Sequence, residues 1–255
     1  MTEKGQADMI MLESKIALVT GASRGIGNAI CMKFAQEGAT VYAGVRSMEL
    51  FAQLSWEDKQ TGGKIIPIML DVCDSESIKK CIMDIKKQVG YLDILVNNAG
   101  ITIIERFDMT SDTSIDKVYS TNVYGLMHVT QMAVKLLKKS AAPNIINMSS
   151  ILAGDSDIGQ TVYASSKAAV VSMTKTWAKE YAPLGFRVNA IAPGNVDTDM
   201  FNVISESELE KAVGKIGLGR VASTEEIANV ALFLASAMSS YITGEVINVN
   251  GGLVL

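Results

Sequence analysis

Tyr163 and Lys167 stand four residues apart in the run Tyr-Ala-Ser-Ser-Lys, and Ser150 lies thirteen positions before the tyrosine. Residues four apart on a helix share one face. An ammonium beside a phenol favours the phenolate and lowers its pKa from the ordinary value of about 10. A tyrosine tuned in this way gives or takes a proton near neutral pH. The spacing alone also fits a solvated helix, so the surrounding elements must decide between the two.

A second chemical signal is Thr20-Gly21-Ala22-Ser23-Arg24-Gly25-Ile26-Gly27. It lies where a short apolar strand, residues 15–20, meets a helix over about 25–37. Gly21 permits a tight turn, Gly25 lets a phosphate approach the backbone, and Gly27 lets the helix pack on the strand. The helix start then offers free N–H groups and a positive dipole end to a pyrophosphate. Ser23, Arg24 and Ile26 complete the candidate loop; a plain glycine turn is the competing reading. The next strand ends Ala43-Gly44-Val45-Arg46-Ser47, without the acidic residue that NAD binders place there for the ribose. Arg46 and Arg24 could flank a 2′-phosphate, so the chain is expected to prefer NADP(H), with Ser47 beside Arg46.

The elements that would position these groups alternate. Short β-branched strands over 15–20, 40–45, 65–70, 92–96, 144–148, 186–191 and 246–249 are interleaved with helices over about 25–37, 75–89, 113–139, 161–182 and 224–237. That order predicts an α/β fold, a doubly wound seven-stranded parallel sheet in a single domain. Residues 1–14 read as a flexible leader and 15–255 as the domain. The irregular stretch 194–223 reads as a substrate loop, with the charged cluster Ser205 to Lys211 as a helix on it.

Composition narrows the partners. The net charge of −4 and the lack of a long Lys/Arg run give no footprint for nucleic acid. No apolar stretch reaches the ~18 residues of a membrane span. Three cysteines without CxxC spacing and a single histidine, His128, argue against a metal site and fit free thiols in a reducing, cytoplasmic setting. His128 and the fourteen methionines read as packing residues.

With these motifs in order, the chain resembles the short-chain dehydrogenase/reductase family from about residue 14 onward. Asn97-Asn98-Ala99-Gly100, Asp71 with Val72, Asn122, the segment Pro193-Gly194 with Val196 and Thr198, and the ending from Tyr241 to Gly252 all match its pattern. The resemblance implies a carbonyl reductase with four catalytic residues. Tyr163 would be the proton donor, Lys167 would hold the nicotinamide ribose, Ser150 would bond the substrate oxygen, and Asn122 would kink its helix and hold a relay water. Asp71 and Val72 would meet the adenine. Asn98, Ala99 and Gly100 would line the cofactor, and Pro193, Gly194, Val196 and Thr198 would hold the carboxamide. Ser149 is the rival to Ser150; strand alternation sends neighbours to opposite faces, and the spacing favours Ser150. A homotetramer built on the two long helices is implied as well.

Within the family, Asn97 to Thr102 and the C-terminal segment resemble 3-oxoacyl-[acyl-carrier-protein] reductases, implying an acyl-thioester substrate. Leu184 in place of an expected arginine, and acidic Asp155 and Asp157 after Ser150, leave a small ketone, sugar or polyol open. A non-catalytic nucleotide-binding scaffold is a more distant alternative, disfavoured because Ser150, Tyr163 and Lys167 are all present.

Overall fold

The computed structural model describes residues 10–49, 56–57, 62–198 and 206–254. Its sheet joins seven parallel strands: β1 (Ile16–Thr20), β2 (Thr40–Val45), β4 (Lys64–Met69), β5 (Ile94–Asn97), β6 (Asn144–Met148), β7 (Arg187–Pro193) and β8 (Val246–Val249). The spatial order is β4-β2-β1-β5-β6-β7-β8, with a two-residue antiparallel strand β3 (Trp56–Glu57) outside β4. The doubly wound parallel sheet expected from the sequence is therefore present, and β3 adds to it. Two residues carry no periodicity, so β3 had no signal.

Strand alternation builds a core on each face of the sheet. Ala17 and Val19 of β1 point to the side covered by α1 (Gly25–Gln36) and α7 (Thr224–Ala235), meeting Ile30, Phe34, Ile227 and Leu232. Leu18 points to the other side, where α2 (Ser75–Gln88) and α4 (Leu126–Leu137) supply Ile78, Ile85 and Val129. The fold begins before residue 15: Leu12 is buried in the first core, and its N–H donates to the Glu37 carbonyl at 2.9 Å. Residues 1–9 of the expected leader lie outside the described residues.

The helix expected over 113–139 is divided. α3 (Asp112–Tyr119) passes through a π-helical turn, Ser120–Gly125, into α4. The division goes with two contacts distant in sequence: the Asn122 side chain bonds the backbone of Ile101, and a Cβ at Gly125 would lie 2.7 Å from the Val72 carbonyl. α5 (Thr161–Tyr181) carries Tyr163 and Lys167, and α6 (Glu206–Gly214) lies within the expected substrate loop. The ends of that loop are tied together, with Ala222 N–H donating to the Asn195 carbonyl at 2.9 Å. Ser205 lies outside the described residues.

Two packing expectations need correction. His128 is exposed on α4 rather than packed. Met11, Met48, Met69, Met83, Met109, Met127, Met132 and Met238 are exposed, while Met148 and Met173 are the buried methionines among the described residues. Methionine's flexible side chain suits a mobile surface as well as a core gap, so its count does not locate it. No helix among the described residues is long and apolar enough to cross a membrane.

Candidate active site

All seven parallel strands point their carboxyl ends at one edge, and the strand order reverses between β1 and β5. A crevice outside that reversal is where such sheets accept ligands. The glycine turn leaves β1 there. Gly21 has φ +64° and Gly25 φ +55°, backbone that glycine adopts without strain. A Cβ at Gly27 would strike the Gly21 carbonyl and the Asn98 side chain. Asn98 fixes the turn from β5, its Nδ2 donating to the Thr20 carbonyl at 3.0 Å and the Gly21 carbonyl at 3.1 Å. The Thr20 hydroxyl accepts the N–H groups of Asn98 and Ala99 at 3.0 and 2.9 Å. Ala22 N–H donates to the Gly44 carbonyl at 3.0 Å, which ties the turn to the end of β2.

The other expected cofactor residues ring the same edge. Exposed Arg46 and half-buried Ser47 follow β2, and exposed Arg24 caps α1 alongside half-buried Ser23 and Ile26. Asp71 follows β4, where its carboxylate accepts the Cys73 N–H at 2.9 Å, and Val72 is buried against Gly125. Pro193 ends β7, and a Cβ at Gly194 would lie 2.9 Å from Asn250 Cα. Val196 is buried, and the Thr198 methyl lies 3.5 Å from where a Cβ would stand on Gly25. This last segment thus faces the glycine turn across the edge.

The four candidate catalytic residues also meet. Ser150 leaves the end of β6, where its Oγ accepts the Leu152 N–H at 3.2 Å and its hydroxyl lowers the pKa of the neighbouring Tyr163 phenol. Ser149 makes a different contact with the same helix, donating to the Lys167 carbonyl at 3.1 Å. Lys167 is 4% exposed, and its Nζ donates to the Met148 carbonyl at 2.9 Å. That nitrogen lies 3.2 Å, and Asn122 Oδ1 3.4 Å, from where a Cβ would stand on Gly100.

The electrostatics differ from the expectation drawn from spacing. Burial raises the Tyr163 phenol above its ordinary pKa, and the Ser150 hydrogen bond opposes this. Lys167 Nζ stands 5.7 Å from the centre of the Tyr163 ring. Burial alone pulls the Lys167 ammonium down to about 8. The phenol is therefore held in its proton-bearing form, and the lysine is a base whose proton is loosely held.

Ser166 was missed. Its hydroxyl donates to the Tyr163 carbonyl at 2.6 Å and accepts from Asn122 Nδ2 at 3.0 Å, joining the π turn to α5. A helical serine bonding its own backbone is common, so nothing in the sequence marked it. Also unmarked was a buried polar ladder in which Asn97 Nδ2 donates to Thr130 at 2.9 Å and Asn147 at 2.8 Å, and Asn147 Nδ2 to Thr174 at 2.9 Å. It fixes β5 and β6 against α4 and α5.

A family model described as enoyl-(acyl carrier protein) reductase matches residues 21–254. The chain is 46% identical to the 3-oxoacyl-[acyl-carrier-protein] reductase FabG of Thermotoga maritima, over 96% of this chain and 99% of that protein. It is 41% identical to the protein of the same name from Aquifex aeolicus, over 96% and 99% of the two chains. Among solved structures, a gluconate 5-dehydrogenase from Burkholderia cenocepacia, in complex with NADP and tartrate, superposes with a TM-score of 0.90 at 29% identity, covering 96% and 97% of the two chains.

Proposed function

The chain belongs to the short-chain dehydrogenase/reductase family, and from that premise we propose that it is an NADPH-dependent reductase converting a 3-oxoacyl thioester to its 3-hydroxy form, with Tyr163 as proton donor. The observation that carries the mechanism is the meeting of Ser150, at the end of β6, with Tyr163 and with buried Lys167, whose Nζ lies 5.7 Å from the tyrosine ring centre. The dinucleotide, when bound, supplies the hydride. The edge fits such a group, because glycine at Gly21 and Gly27, where a side chain would strike Ala99 or the Gly21 carbonyl, lets the turn close tightly under the start of α1, while Gly25 leaves its outer side open.

Ser150 donates to the substrate carbonyl oxygen and stabilises the charge that develops there. Tyr163 gives that oxygen its proton, which burial keeps on the phenol at neutral pH. Lys167 holds the nicotinamide ribose and, with a pKa of about 8, passes a proton back toward the tyrosine. Asn122 and Ser166 fix the approach of α5 to the Ile101 segment. Arg46 and Arg24 favour the 2′-phosphate of NADP(H). Assembly as a cytoplasmic homotetramer belongs to the same proposal, and exposed Tyr124 and Met127 offer it apolar surface.

The thioester assignment draws on the names of the curated relatives. A small ketone, sugar or polyol is the second reading, favoured by exposed Leu184, Asp155 and Asp157, which give an acidic carrier protein little to bind. NADPH oxidation against acetoacetyl thioesters, diketones, sugars and simple ketones decides between them. The proposal expects the highest kcat/KM on an acetoacetyl thioester. Turnover confined to sugars, diketones or simple ketones would establish the second reading.

A further inference from the structure

Five buried side-chain atoms have no hydrogen-bond partner among the described residues. Asn97 Oδ1 and Asn144 Oδ1 belong to strands inside the sheet. The other three, Thr102 Oγ1, Glu105 Oε2 and Gln160 Oε1, lie on two segments that meet beside the candidate catalytic residues. One segment leaves Ile101, which Asn122 clamps through both its N–H and its carbonyl at 2.9 Å. The other follows Ser150 and enters α5. They are joined where Glu105 N–H donates to the Gly159 carbonyl at 3.0 Å, with the Ile104 side chain against Gly159.

Gln160 caps α5 without bonding its backbone through the side chain, and it stands three residues before Tyr163. Glu105 uses one carboxylate oxygen to accept from Ser114 at 3.3 Å, leaving the other buried and unpaired. A buried acceptor without a donor costs free energy, and such atoms are rare enough in folded proteins to ask for an explanation. Here an amide oxygen and a carboxylate oxygen lack a donor on two joined segments, one of which also exposes acidic Asp155 and Asp157. Both want a hydrogen-bond donor, and none of these groups suits an anion.

We propose that Gln160 and Glu105 determine specificity, accepting hydrogen bonds from a neutral donor that the substrate carries, with Thr102 as a third polar contact. The assignment rests on the reductase reading above. The donor is an amide N–H, as in the arm of a thioester, or a hydroxyl, as in a hydroxyketone. Apolar Ile104 and Ile158, 63% and 84% exposed on the same two segments, would flank the uncharged remainder of the substrate.

The test compares three neutral ketones with NADPH: the N-acetylcysteamine thioester of acetoacetate, which bears an amide N–H; dihydroxyacetone, which bears hydroxyls; and ethyl acetoacetate, which bears no donor. Wild type should favour one donor-bearing ketone over the ester, and which one identifies the donor. In Gln160→Met and in Glu105→Met, the ratio of that kcat/KM to the ester's should fall, by about tenfold for Gln160→Met. NADPH binding, read by fluorescence, shows that each variant is folded. An equal loss on all three substrates, or an unchanged ratio in both variants, overturns the proposal. Failure of wild type to reduce any ketone would instead overturn the reductase reading.

Discussion

Lys167 Nζ stands 5.7 Å from the centre of the Tyr163 ring, yet its hydrogen bond goes to the Met148 carbonyl. The pair is therefore held by α5 and β6 together rather than by its own attraction. Ser150 is the side chain whose hydrogen bond eases the proton off the phenol.

That division of labour makes Ser150→Ala informative. Removing the hydroxyl leaves burial unopposed, so the Tyr163 pKa rises further. In the oxidation direction the phenolate is the active form, so the rising limb of the pH–rate profile should move to higher pH. In reduction, kcat should fall about 100-fold through loss of the bond to the developing oxyanion. An unshifted profile in the variant would separate Ser150 from the tyrosine.

Lys167 should cost the free protein stability. Its folded pKa, about 8, lies below the ordinary value of 10.5. The unfolded chain therefore binds more protons between those values, and this group's contribution to stability rises with pH across that window. Replacing the buried ammonium in Lys167→Met should stabilise the cofactor-free protein at pH 7, by up to about 3 kcal/mol. The advantage should shrink toward pH 10 as the wild-type lysine discharges. Urea melts of both proteins at the two pH values measure it; a difference independent of pH would contradict the account.

On the proposed reading, Arg46 favours NADP(H) over NAD(H). Arg46→Ala should raise KM for NADPH roughly tenfold and leave KM for NADH within about twofold. Steady-state kinetics with both nucleotides measure this. Equal changes for the two would remove the 2′-phosphate from the argument.

The fold was legible because each strand is a short β-branched run and each helix a longer periodic one. Strands 40–45, 144–148 and 246–249 match their predicted bounds. Irregular features were not legible. The π turn around Asn122 goes with contacts to Ile101 and Val72, distant in sequence, and the pattern over 113–139 stays helical throughout. Leu12 ends the short apolar run Met9 to Leu12, which is too brief to show a strand or helix period, so its burial against the first core carried no signal. At the site, motif residues announced themselves by type and spacing. Ser166, Gln160 and Glu105 did not, because their meaning lies in which polar atoms meet or lack partners once α5 and the Ile101 segment come together. The sign of the Tyr163 shift was likewise hidden, since it depends on how much burial outweighs one hydrogen bond.

Single-turnover NADPH oxidation by Tyr163→Phe, with acetoacetyl thioester and nucleotide binding measured alongside, tests the central claim most directly. The account predicts NADPH binding close to wild type and a rate lower by about 1,000-fold, since the ring stays and only the proton is removed. A rate within tenfold of wild type would contradict the assignment of Tyr163 as the acid.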